Sequence, residues 1–202
     1  MLQAARISSN GTSPHNLAID ARHTGIATWG TGGTVWLGEF LDPSSHAAIG
    51  KLAIDVSTSS TTSAGGSVST YGALQLADGL EIVADGGLLT APSEVLINHD
   101  VLVSGTGGVG IRGNVVELKS GQSILSAGSV ILDAHHRLDL DGLVNATYAG
   151  AVGRDVRLSS NRIELSNDIA TNGGRVGQFL AGDIILACIA HHAPNGKASS
   201  CV

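Results

Sequence analysis

Residues 95–140 read VLINHDVLVSGTGGVGIRGNVVELKSGQSILSAGSVILDAHHRLDL. Apolar anchors at Val95, Leu102, Val109, Val116, Ile124, Val130 and Leu138 recur every six to eight residues. Every third anchor (95, 116, 138) is separated by 21 or 22 residues, which is the spacing of a three-sided coil. A seven-residue step also suits a coiled-coil heptad. However, Gly107, Gly108, Gly110 and Gly113 fall between the anchors, and each would cost about 1 kcal/mol inside a helix. Short apolar-x-apolar triplets such as Val101-Leu-Val103, Val116-Glu-Leu118 and Leu138-Asp-Leu140 predict strands of three to five residues. Gly, Asn, Asp and Ser stand between them, where corners need positive φ or Asx turns.

The same pattern extends outward. Leu76-Ala-Asp-Gly79 returns as Val83-Ala-Asp-Gly86, and Val156-Arg-Leu-Ser-Ser-Asn161 as Ile163-Glu-Leu-Ser-Asn-Asp168. Leu17-Ala-Ile-Asp20 returns 35 residues on as Leu52-Ala-Ile-Asp55. The expected fold is therefore all-β: a right-handed, single-stranded parallel β-helix (β-solenoid) of about 20 residues per coil. That makes roughly ten coils and about 45 to 50 Å of rod. Residues 1–73 are expected to form less regular N-terminal coils, residues 74–186 the regular solenoid, and residues 187–202 an irregular tail. Ser57-Thr-Ser-Ser-Thr-Thr-Ser63 reads as a polar loop between coils.

Composition agrees with a narrow tube. Of 202 residues, 28 are Gly, 22 Ser and 13 Thr, and only 3% are aromatic. Leu, Ile, Val and Phe still reach about 27%, enough to bury a core. A net charge of −6 without a basic run argues against nucleic-acid and anionic-membrane partners. No stretch approaches the ~18 apolar residues of a membrane span, and the first residues lack a signal-peptide layout. The expectation is a segment of a longer chain.

The segments Val116-Glu-Leu118, Gly128-Ser-Val-Ile-Leu-Asp-Ala134 and Arg154-Asp-Val-Arg-Leu-Ser159, with their Gly/Asn corners, resemble coils of filamentous-haemagglutinin-like exoproteins. The resemblance implies a solenoid shaft segment of a secreted or cell-surface bacterial adhesin, with a carbohydrate or host-surface ligand and no cofactor.

Several motifs bear on chemistry. Gly105-x-Gly107-x-x-Gly110 follows an apolar strand as a dinucleotide fingerprint does, but the residues after it read as a strand rather than a helix, so a corner turn is expected. Gly107-Gly-Val-Gly-Ile-Arg112 approaches the nonapeptide calcium repeat, with Arg112 in the Asp position, where it cannot ligate a cation. Asp133, His135, Arg137, Asp139 and Asp141 share one parity and are expected to form one outward row. If the protein is an enzyme, a polysaccharide lyase or glycoside hydrolase, Asp139 and Asp141 are the general acid/base pair, with Arg137 and His135 beside them. Otherwise the row is a solvated face, and no enzyme is the favoured reading. Cys188, His191, His192 and Cys201 are the right ligand types for zinc in an uncommon spacing; a disulfide explains the cysteines equally if the chain is secreted, and a free tail is the favoured reading over both. Trp29 and Trp36 flank Thr31-Gly-Gly-Thr34 and could stack on a carbohydrate, or plug the tube end. Uncapped coil ends would favour end-to-end self-association.

Overall fold

A computed structural model describes residues 2–6, 14–24, 31–39, 49–60, 62–86, 93–147, 154–171 and 184–188. These form sixteen strands and no helix, and every strand pairing is parallel. No helix of the described residues is long and apolar enough to cross a membrane.

The pairing sorts the strands into three faces that the chain visits in a fixed order. Face A stacks β2 (His15–Asp20), β4 (Ile49–Asp55), the second half of β6 (Leu74–Ala84), the first half of β9 (Gly108–Leu118), the first half of β11 (Val130–Leu140), β13 (Val156–Ser160) and β16 (Ile184–Cys188). Face B stacks β1 (Leu2–Arg6), β3 (Thr34–Glu39), β5 (Ser67–Thr70), β7 (Glu94–Ile97), the second halves of β9 and β11, and β14 (Ile163–Leu165). Face C stacks the start of β6, β8 (Val101–Val103), β10 (Ser123–Ser126), β12 (Leu143–Asn145) and β15 (Ile169–Ala170). A chain that repeatedly runs A, B, C through parallel neighbours has the topology of a β-solenoid.

Register explains the core. Leu52, Leu80, Val109, Val130 and Val156 stack on face A, and Ile54, Ile82, Ile111, Leu132 and Leu158 stack beside them. Face B contributes Val35, Val68, Val95, Val116 and Leu138, and face C contributes Leu74, Val101, Ile124 and Val144. All of these are buried in one cluster. Each such side chain contributes about 1.5–3 kcal/mol by leaving water. The 95–116–138 spacing is thus one column of face B, and Leu17-Ala-Ile-Asp20 lies in register on Leu52-Ala-Ile-Asp55. Leu102 differs from the anchor scheme: Val101 and Val103 point inward and Leu102 faces outward, half-buried.

The coil length also differs from the expectation. The face A pairs Leu17–Leu52, Leu52–Leu80, Leu80–Val109, Val109–Val130, Val130–Val156 and Val156–Ile184 give intervals of 35, 28, 29, 21, 26 and 28 residues. About 20 residues per coil holds only where 95–138 was legible. Corners lengthen elsewhere, because extra loop residues cost little once the flanking strands are in register. Face A therefore has seven described rungs rather than ten, about 29 Å of stack at 4.8 Å per step. The strands before residue 73 belong to the same stack, and the last described strand runs to Cys188, two residues past the expected end of the solenoid.

The G-x-G-x-x-G segment is a corner. Residues 105–107 turn, and strand β9 follows directly. Gly108 sits at φ 74°, and a Cβ there would lie 2.4 Å from the Ser129 carbonyl oxygen.

Candidate functional site

The run from Asp133 to Asp141 occupies two faces, not the single row expected from parity. β9 turns from face A to face B between Gly113 and Val115, whereas β11 makes the same turn between Ala134 and Arg137, using one more residue. This bulge places His136 outward at the corner and separates Asp133 and His135 from Arg137, Asp139 and Asp141.

On the face A side, Arg112 Nε lies 3.2 Å from Asp85 Oδ2 and 3.5 Å from Asp133 Oδ2, and His135 Nε2 lies 3.7 Å from Asp85 Oδ1. Arg112, the residue in the calcium-repeat Asp position, thus ties three successive coils together. Burial pushes the Asp85 carboxyl above its ordinary value, against the pull of Arg112 and His135. Further along face A, Ala18 and Ala53 floor an open groove of ≈ 260 Å³ bordered by Asp20, Arg22, Asp55 and Glu81. Its charges are mutually paired: Arg22 with Asp20 and Asp55, and Glu81 with Lys51.

On face B the outward positions form a column. Trp36 pairs in register with Ser69, Ser69 with Leu96, Leu96 with Glu117, Glu117 with Asp139, and Asp139 with Glu164. Parity found Asp139, and the place of Trp36 beside Thr31-Gly-Gly-Thr34 singled it out, but neither shows that one face holds both, since that depends on the pairing of residues 21 to 33 apart. Glu117 and Glu164 were missed. Each is the polar centre of an apolar-x-apolar triplet, and only stacking reveals that they flank Asp139. Lys119 pairs with Glu117 and Arg162 with Glu164, each within its own strand segment. The Asp139 carboxyl is raised above its ordinary value by burial first, then by Asp141 and Glu164; Arg137 opposes the rise. Asp139 thus stands in register between two residues with ion-paired carboxylates, their backbones one strand spacing (~4.8 Å) away on either side.

At the other end of the column, the Trp36 and Tyr71 rings meet edge to face, with centroids 5.9 Å apart and planes at 67°. Tyr71 is 61% exposed. Trp29, the second tryptophan of the expected platform, lies outside the described residues, as do His191, His192 and Cys201. Cys188 ends β16, paired with Ser160. Among the described residues no group of three or more His, Cys, Asp or Glu is placed to hold a metal ion. Comparison with protein-family models, with curated proteins and with solved structures gives no match.

Proposed function

We propose that the chain is a shaft segment of a secreted or cell-surface protein of the filamentous-haemagglutinin-like kind, a stiff right-handed coil that displays outward side chains for attachment to cells or glycans. One observation carries this reading: three parallel faces around a continuous core hold outward residues in columns at a fixed strand spacing. Such a scaffold has little need of conformational change; recognition comes from the periodic spacing of side chains. The experiment is to pass the protein over a panel of immobilised neutral and acidic polysaccharides, scoring retained protein and newly released sugar ends. Retention without release is the expected result.

A second reading, a polysaccharide lyase or glycoside hydrolase, is favoured by the carboxyl column. Register sets Glu117 and Asp139 on neighbouring rungs, their backbones one strand spacing (~4.8 Å) apart, as two carboxyl groups that act together require, and a raised Asp139 suits the acid. Release of sugar ends that Asp139→Asn abolishes would establish it. End-to-end self-association is a third reading. Among the described strands β1 and β2 pair on one side only, and Leu17 and Ile19 are only partly covered there. Light scattering that stays monomeric across concentration removes it.

A further inference from the structure

We propose that the outward side of face B is a binding strip for an extended, uncharged β-1,4-linked glycan, lying along the stack with its sugars on Tyr71, Trp36 and Leu96 and its hydroxyls on Glu117, Asp139 and Asp141. The inference rests on the display reading and names its ligand and its face.

The aromatic end supplies the first argument. A tyrosine ring 61% exposed on the outer side of a sheet is costly to solvate, and its T-shaped contact with Trp36 restrains it. A fixed ring with an open face is what the apolar face of a pyranose with equatorial hydroxyls packs against. Between Trp36 and Leu96 the column holds Ser69, a small buried residue that places no bulky side chain there. The polar end supplies the second. Glu117, Asp139 and Glu164 are hydroxyl acceptors in register. Acids outnumber bases along the strip, with Glu117, Asp139, Asp141 and Glu164 beside Lys119, Arg137 and Arg162, so a neutral chain suits it better than a polyanion. The third argument is length. From Trp36 to Asp139 is four rungs, about 19 Å, and a β-1,4-linked chain advances by close to one strand spacing per sugar. Four sugars therefore span the strip in phase with it.

The test uses cellohexaose and chitohexaose (the N-acetylated form) as probes and polygalacturonate as the charged control, read by calorimetry and by tryptophan fluorescence. Tyr71→Ala is the main variant because its exposed side chain can be removed without opening the core; Asp139→Asn is the second, and Glu81→Gln on face A is the control. The expected result is binding of a neutral hexasaccharide that falls about tenfold or more in Tyr71→Ala and Asp139→Asn and is unchanged in Glu81→Gln. Neutral binding that both strip variants keep would overturn the strip while leaving the display reading standing. Binding of polygalacturonate alone would overturn the assigned ligand class. No binding of any probe, together with no retention on the polysaccharide panel, would overturn both the strip and glycan display.

Discussion

Gly108 and Gly121 share the same backbone region, at φ 74° and 77°, but stand in different surroundings. A Cβ at Gly121 meets nothing within 4 Å, whereas at Gly108 it would lie 2.4 Å from the Ser129 carbonyl oxygen, which also accepts the Val109 N–H at 2.9 Å. Gly121→Ala therefore carries only the left-handed strain, about 1 kcal/mol. Gly108→Ala carries the same strain, and it also forces one coil's corner away from the next and weakens that interstrand hydrogen bond, adding about 1–3 kcal/mol. The expected losses are about 1 and about 2–4 kcal/mol, read as urea midpoints at constant m-value. Equal losses, within about 0.5 kcal/mol, would refute the reasoning that the glycine-rich segment exists to let successive corners approach.

Leu132 is fully buried in the middle of a face A column, so Leu132→Ala is expected to cost about 2–5 kcal/mol by thermal or urea unfolding; a loss below 1 kcal/mol would contradict the stacked core. Arg22 donates to Asp20 and holds its carboxyl down at about 2, a contribution present above the ordinary 3.8 and lost as pH falls toward 2. In Arg22→Met the Asp20 carboxyl carbon is expected by NMR to move up from about 2 toward 3.8 without reaching it, because the residue 22 backbone N–H still donates to it, and a value still near 2 would disprove the pairing. Asp139 has the opposite sign: a raised carboxyl favours the fold while protonated and weakens it as pH rises past its folded value. Asp139→Asn is accordingly expected to be the more stable protein at pH 7, with the gap closing by roughly pH 3.5, and a gap that does not change with pH would count against the burial argument.

Much of the fold was legible because the inward residues obey two rules at once, alternation along a strand and likeness between strands in register. Val95, Val116 and Leu138 reveal the coil since the corners between them are short; Leu17-Ala-Ile-Asp20 and its copy reveal a 35-residue coil by identity alone. What failed was the assumption of one period. Corner length is nearly free energetically, so a step measured at 95–138 does not transfer to 52–80 or 130–156. The single row from Asp133 to Asp141 failed for a related reason. A strand that continues around a corner keeps its parity by adding a residue, and nothing in Ala134-His-His-Arg137 announces the bulge. The Trp36–Asp139 column was invisible because no local pattern links residues separated by four rungs.

The two outward faces treat charge differently, and the difference bears on function. On face A ion pairs run between coils, Lys51 to Glu81 and Arg112 to both Asp85 and Asp133, and Arg22, which pairs with Asp20 two residues away, also reaches Asp55 and so bridges two acids in register. Opposite signs then help the coils to stack as well as keeping the face solvated. On face B the bases sit two residues from the acids on the same strand segment, Lys119 with Glu117 and Arg162 with Glu164. Acid consequently faces acid across Glu117, Asp139 and Glu164, an arrangement that costs stability wherever like charges are directly opposite. Solvation alone does not require this, because the inter-coil alternative is already in use one corner away in the same coils. Surfaces that keep a locally unfavourable arrangement are the places where binding, rather than folding, sets the residues. By that argument face A is the side whose pairs hold the coils together, and face B is the side on which the proposed glycan strip is to be tested.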